Sequence, residues 1–207
     1  MTGGAPKRFS MIRSFVPADL ITLANAGCGT VAIFLCLNYV AKGQSPYILA
    51  AFVLLPLALL CDYLDGMIAR RQHKHSALGA DLDSLADIVS FGVAPAVLGF
   101  TLGLRGVWDS IILIYFVVCG ISRLARFNVT ALERTGTSGK IRYFEGAPIP
   151  TSIFIVVVLA VAYAAGYIDK LVPLGSLQLG PWVLHPFTLI YAVNASLMIS
   201  TIRFPKL

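Results

Sequence analysis

Apolar positions run nearly unbroken through six stretches of the chain, at about residues 20–40, 48–69, 80–103, 107–127, 149–168 and 182–202. Each approaches the roughly 20 residues that an α-helix needs to cross a bilayer. The segments AKGQSP, RRQHKHS and GLRGVW between the first four are short, which makes those helices consecutive antiparallel neighbours. The pattern predicts an all-α, polytopic membrane protein in a single domain over residues 1–207, with six transmembrane helices bundled over 20–203. Ahead of them, Phe9, Ile12, Phe15 and Val16 gather on one side of a helical wheel, away from Arg13 and Ser14, and predict a short interfacial helix before Pro17 within the cytoplasmic segment 1–19. The first span begins late and lacks a small-residue cleavage site, so the N-terminus does not read as a removed signal peptide.

The apolar pattern breaks at one place that loop formation alone does not explain. The stretch CDYLDGMIARRQHKHSALGADLDSLAD, from Cys61 to Asp87, holds five aspartates in a chain with ten acidic residues in all. At about 100° per residue, Asp62, Asp65, Gly66 and Ala69 share one helical face with Arg70 beside it. On the next helix Gly79, Asp83, Asp87 and Ser90 form a second stripe, and Asp81 points to the opposite side. Four carboxylates therefore converge across a helical hairpin, just inside the membrane. An aspartate in hydrocarbon costs about 3 kcal/mol on insertion scales, so such a group needs a cation. Oxygen-only donors match hard divalent cations, Mg²⁺ or Mn²⁺, without separating them from Ca²⁺. Two such ions sharing a carboxylate would clamp a phosphoryl group for in-line displacement. Gly66, Ala69 and Gly79 would let a ligand approach the backbone closely, although small residues also serve helix packing in membranes.

Composition agrees with the membrane reading: 57% of residues are hydrophobic and 13% are charged. The charge that remains fixes a direction. With the N-terminus inside, thirteen Lys and Arg residues fall in inner segments, and only Lys42, Arg105 and Lys170 fall outside. The carboxylates then lie at the cytoplasmic face of the cell membrane. The formal net charge of +6 becomes a basic face toward headgroups or a phosphorylated substrate, with no call for nucleic acid. Cys28, Cys36, Cys61 and Cys119 fall in predicted spans without metal-ligand spacing and read as free thiols. His73, His75 and His185 read as loop or span-end residues rather than ligands.

With its spacings, the stretch is D-x₂-D-G-x₂-A-R-x₈-G-x₃-D-x₃-D, at Asp62, Asp65, Gly66, Ala69, Arg70, Gly79, Asp83 and Asp87. It resembles the signature of the CDP-alcohol phosphotransferase family without a departure. The resemblance implies a six-span homodimer that uses divalent metal to move a phosphatidyl-type group from a CDP-linked lipid to an alcohol, releasing CMP. It makes Asp62, Asp65, Asp83 and Asp87 metal ligands, with Asp87 also the general base. It places Asp62, Asp65, Gly66, Ala69, Arg70 and Gly79 against the nucleotide, where Arg70 offers planar donors to phosphate. Asn25 on the first span is read either as a cytosine or ribose contact or as a polar residue bonding a neighbouring helix.

Further segments, LITLANAGCG, DSLADIVSFGVAPA, SRLARFN and YFEGAPIP, resemble the phosphatidylserine synthase branch of that family. The implied substrates are CDP-diacylglycerol and L-serine, the products a serine lipid and CMP. An archaeal ether-lipid enzyme, or one that uses glycerol phosphate or inositol phosphate, is the alternative. Serine carries a carboxylate, for which Arg123, Arg126 and Asn128 at the inner end of the fourth span are the candidates, and an ammonium, for which Glu145 is the candidate. Ser84 and Ser90 offer hydroxyls. Each of these residues also has an ordinary use, in headgroup contact, capping or helix pairing. A cation channel is disfavoured because the carboxylates cluster at one membrane face without a polar relay through the outer halves of the helices. A membrane prenyltransferase is disfavoured because one hairpin carries the whole signature.

Overall fold

The computed structural model describes residues 17–72, 77–134, 143–167, 175–200 and 203–205. Helix α1 (Pro17–Lys42) opens with proline, whose missing N–H costs nothing in a first turn, and carries Asp19 where the helix dipole favours an anion. It closes at Gly43, which takes the left-handed conformation (φ 65°) and donates to the Tyr39 carbonyl at 2.8 Å. Helix α2 (Ser45–Gln72) begins at once and runs back along α1. The third span is composite: α3 (Ala77–Asp87), a π-helical segment over Ile88–Val93, and α4 (Ala94–Thr101). The widened turns lie just ahead of Pro95, which has no N–H to offer the carbonyls before it. Helix α5 (Val107–Arg134) follows, then α6 (Ser152–Ala164) and α7 (Leu189–Ile199), each led in by a 3₁₀ turn that contains a proline.

Four helical stretches are long and apolar enough to cross a membrane: Ala18–Lys42, Ser45–Ala69, Leu78–Thr101 and Val107–Val129. They match the first four expected spans within three residues at each end. The fifth and sixth expectations need correction. The apolar helices there cover only Ile149–Ala164 and Pro186–Ile199. The fifth stops at Gly166, which sits at φ 77°. The sixth expected span began in what is strand: β3 (Trp182–Leu184) pairs antiparallel with β2 (Leu177–Leu179) around a turn at Gly180, and Pro186 then restarts the chain as helix. A second ribbon joins β1 (Tyr143–Glu145) to β4 (Arg203–Pro205). The fold is thus mostly helical, with two short ribbons. The expected interfacial helix, His73 and His75, and the side chains of Arg70 and Glu145 lie outside the described residues.

The core gathers around the third span, the most buried of the four. Phe91 and Leu98 are fully enclosed by Leu55 of α2, Phe116 of α5, Ile149, Leu159 of α6 and Tyr191 of α7. Tyr191 packs edge-on against Phe116, with centroids 5.2 Å apart, and its hydroxyl donates to the Pro95 carbonyl at 2.7 Å. That bond meets the requirement of a buried phenol for a partner and ties α7 to the composite helix.

Helix α1 meets the π segment at backbone range. Ser90 Oγ donates to the Asn25 carbonyl at 2.9 Å, and a Cβ placed on Gly29 would lie 2.8 Å from Ser90 Cα. Gly27, two residues earlier, has open space there. Gly29→Ala should therefore force the helices apart and lower thermal stability in detergent, at a cost of about 1–3 kcal/mol. Gly27→Ala should be neutral or slightly stabilising, because alanine is the better helix former by about 1 kcal/mol. Equal melting temperatures for the two variants would remove the close contact from the account.

Candidate active site

The two stripes read from the sequence meet in space. Asp62 and Asp65 lie in the last turns of α2, and Asp83 and Asp87 in α3. Asp62, Asp83 and Asp87 each offer an oxygen within 4.8 Å of the others. Asp87 is buried, and Asp62 and Asp83 are half-buried. Asp81 is exposed and stands apart from this group, as its helical phase requires.

Asp65 is buried but is not one of the three converging side chains. Thr22 of α1 donates its hydroxyl to Asp65 Oδ2 at 2.6 Å. One turn along α1, Asn25 is fully buried and donates Nδ2 to Asp87 Oδ1 at 3.3 Å. Its own Oδ1 has no hydrogen-bond partner in the structure. Helix α1 thus supplies one donor to a carboxylate on each arm of the hairpin. Asp19, buried in the first turn of α1, lies within electrostatic reach of Asp65 and adds to the negative field.

Carboxylates this close repel one another, and the surrounding hydrocarbon and protein screen that repulsion weakly. On α5, half-buried Arg123 is within electrostatic reach of Asp87 and stacks on Phe127 with its guanidinium 5.6 Å from the ring centre. Arg123 offsets charge at Asp87. The donor set of Asp62, Asp83 and Asp87 is all oxygen, convergent and anionic, which is what a hard divalent ion takes. The residues present therefore fit such an ion.

The remaining candidates separate. Gly66, Ala69 and Gly79 are half-buried along the carboxylate faces of α2 and α3. Ser90 is fully buried, with its proton on the Asn25 carbonyl, so it joins helices in this structure. Asn128 of α5 donates Nδ2 to Ser84 Oγ at 3.0 Å, and the Ser84 hydroxyl is 3.1 Å from the Ala80 carbonyl, which links α5 to α3 beside the carboxylates. Arg126 is exposed. Sequence reasoning singled out Asn25 on the first span but passed over Thr22 and Asp19 on the same helix. The signal was present, since Thr22 and Asn25 are three residues apart and share a face of α1.

The chain compares with known proteins as this geometry leads one to expect. A sequence profile described as CDP-alcohol phosphatidyltransferase matches residues 15–197. A CDP-diacylglycerol–serine O-phosphatidyltransferase of Saccharomyces cerevisiae is 40% identical over 96% of this chain and 73% of its own. An archaetidylserine synthase of Methanothermobacter thermautotrophicus is 32% identical over 94% of this chain and 72% of its own. A CDP-diacylglycerol–serine O-phosphatidyltransferase of Bacillus subtilis is 32% identical over 72% of this chain and 77% of its own. With a profile match across nearly its full length and the carboxylates of both helices brought together, the chain belongs to the CDP-alcohol phosphatidyltransferase family.

Proposed function

We propose that this protein transfers the phosphatidyl group of CDP-diacylglycerol to the hydroxyl of L-serine and releases CMP, as a phosphatidylserine synthase of phospholipid biosynthesis. The observation that carries the chemistry is the convergence of Asp62, Asp83 and Asp87 within 4.8 Å; the 40% identical yeast enzyme supports serine as the acceptor. In this reading Asp62, Asp65, Asp83 and Asp87 hold divalent metal, Mg²⁺ or Mn²⁺ and two ions in all. Metal held there would neutralise charge on the phosphoryl oxygens. Asp87 receives the proton of the serine hydroxyl as that oxygen bonds to the phosphorus of the phosphatidyl group. The phosphorus–oxygen bond to CMP breaks, and CMP carries away the electron pair. Gly66, Ala69, Arg70, Gly79 and Asn25 line the nucleotide. Arg123 is the favoured partner for the serine carboxylate, because it is half-buried and within electrostatic reach of Asp87. Arg126, Asn128, Ser84 and Glu145 complete the candidate serine side, and Ser90 acts through the helix contact.

The reading includes a single domain with six crossings, both termini inside, and the site at the cytoplasmic face of the cell membrane. In this reading the short α6 and α7 make the fifth and sixth crossings. β1 enters α6 beside β4, which follows α7, while the β2–β3 hairpin packs at the other end of α5, where Trp108 Nε1 donates to the Leu179 carbonyl at 3.4 Å. A homodimer follows from the family resemblance, and the apolar groove on α7 along Leu189, Ala192 and Val193 offers a surface for it.

The deciding assay supplies purified protein and CDP-diacylglycerol with serine, glycerol 3-phosphate or inositol phosphate in turn. Serine should give the lipid product, and a product formed only from another alcohol would reassign the enzyme within its family. In that assay Asp62→Asn, Asp65→Asn, Asp83→Asn and Asp87→Asn should each lower turnover at least ~100-fold, as expected for removal of metal-site groups, whereas Asp81→Asn should stay within about twofold. Equal loss in all five would sink the helical-phase argument.

Recognition and topology have their own readouts. Arg123→Ala should raise the KM for serine about tenfold, the loss of roughly one charge-assisted bond, with the KM for CDP-diacylglycerol unchanged; a change confined to the lipid substrate would move Arg123 to the nucleotide side. In a background without native cysteines, Gln44→Cys should react with an impermeant thiol reagent added outside intact cells, and His73→Cys only after the membrane is opened. The reverse pattern would invert the topology.

A further inference from the structure

We propose that Thr22 of α1 is a positioning residue of the metal site, fixing the orientation of the Asp65 carboxylate beside Asp62, Asp83 and Asp87. The inference rests on the divalent-metal reading above and adds to it a residue that belongs to neither arm of the signature hairpin. Thr22 and Asp65 are both buried, and their bond of 2.6 Å spans 43 residues of sequence. The Thr22 hydroxyl carries one proton. Its two acceptors in range are Asp65 Oδ2 at 2.6 Å and the Ala18 carbonyl at 3.2 Å. The shorter, charge-assisted bond takes the proton.

The consequence for the carboxylate is directional. With Oδ2 held by α1 and the Gly66 N–H also acting on the carboxylate, rotation of the Asp65 side chain is restrained from both helices. Asp65 is within electrostatic reach of Asp83 and Asp87, so its position also sets the charge that a cation meets in the site. A carboxylate ligand held by an outer donor binds with its orientation already fixed, and removal of such a donor costs about 10–100-fold in metal affinity. Asn25 makes the parallel contact to Asp87 one turn along the same helix, so α1 acts as a template against which both arms of the hairpin are registered.

The test measures metal binding directly, by the loss of the free Mn²⁺ electron paramagnetic resonance signal on titration into purified, metal-stripped protein in detergent. Thr22→Val keeps the shape and removes the donor; it should weaken Mn²⁺ binding about tenfold, while Thr22→Ser, which keeps the hydroxyl, should stay within about twofold of wild type. Thr30→Val is the control on the same helix, since the Thr30 hydroxyl bonds only its own backbone at Ala26, at 2.8 Å, and it should bind as wild type. If Thr22→Val does not give folded protein, Thr22→Ala against Thr22→Ser makes the same comparison. Wild-type affinity in the donor-less variant, or equal weakening in Thr22→Ser, would overturn the role of the hydroxyl. Wild-type protein that binds no Mn²⁺, or Asp83→Asn that binds it undiminished, would remove the metal reading and this inference together.

Discussion

Negative charge confined below a membrane surface is the constraint on which the rest of the structure depends. Asp62, Asp83 and Asp87 hold oxygens within 4.8 Å of one another at the ends of helices that are otherwise apolar. In that setting repulsion between carboxylates is poorly screened, and the fold has to supply the work that keeps them together. It does so with two donors from α1 and a core of Phe91, Leu98, Phe116 and Tyr191 that fixes the third span from the other side. Helix packing thus meets the cost of gathering carboxylates that could hold a metal ion.

The π segment explains how a single helix serves both purposes. Directly after Asp87 the helix widens over Ile88–Val93, and the widened turns bring Ser90 into backbone contact with Gly29 and Asn25 of α1. Beyond it, α4 packs into the core through Pro95 and Gly99 against Tyr191. A regular helix advances by about 100° per residue throughout, so one regular phase would have to satisfy the carboxylate stripe and the core face together. The inserted turns let the two faces be set separately. Wide turns of this kind recur near functional sites, and here the geometric use can be stated: the carboxylate phase belongs to α3, the packing phase to α4.

Much of the site was legible in the sequence because helical phase is a local property. Asp62 and Asp65, then Asp83 and Asp87, share faces through spacings of three and four, and Asp81 falls on the far side for the same reason. What depended on contacts between distant segments was less legible. Thr22 and Asn25 bond carboxylates 43 and 62 residues away, a pairing that periodicity does not encode. Ser90 lies on the carboxylate stripe, yet its hydroxyl is used on α1, because the π turns shift its phase after Asp87. The first four spans were readable from apolar length. The sixth was overextended because apolar residues also fill β3, with Pro186 marking where helix begins, and the fifth because the apolar pattern continues past the turn at Gly166.

The opposite end of α5 shows what a purely structural aspartate looks like in the same protein. Asp109 is fully buried and accepts from the Gly106 N–H at 2.8 Å, the His185 N–H at 2.9 Å, the Thr188 hydroxyl at 2.7 Å and the His185 ring. Its two oxygens are saturated by donors from the turn before α5 and the start of α7, and the cluster leaves no vacancy for a ligand. The carboxylates of the hairpin are arranged differently. Asp87 receives one amide donor at 3.3 Å and faces Asp62 and Asp83, groups of its own charge. Burial alone does not distinguish the two settings, for both hold aspartates shut away from water. The distinction lies in what surrounds each carboxylate: at Asp109 both oxygens are filled by donors, and among the described residues of the hairpin Asp62, Asp83 and Asp87 face one another, an arrangement that a divalent cation could complete.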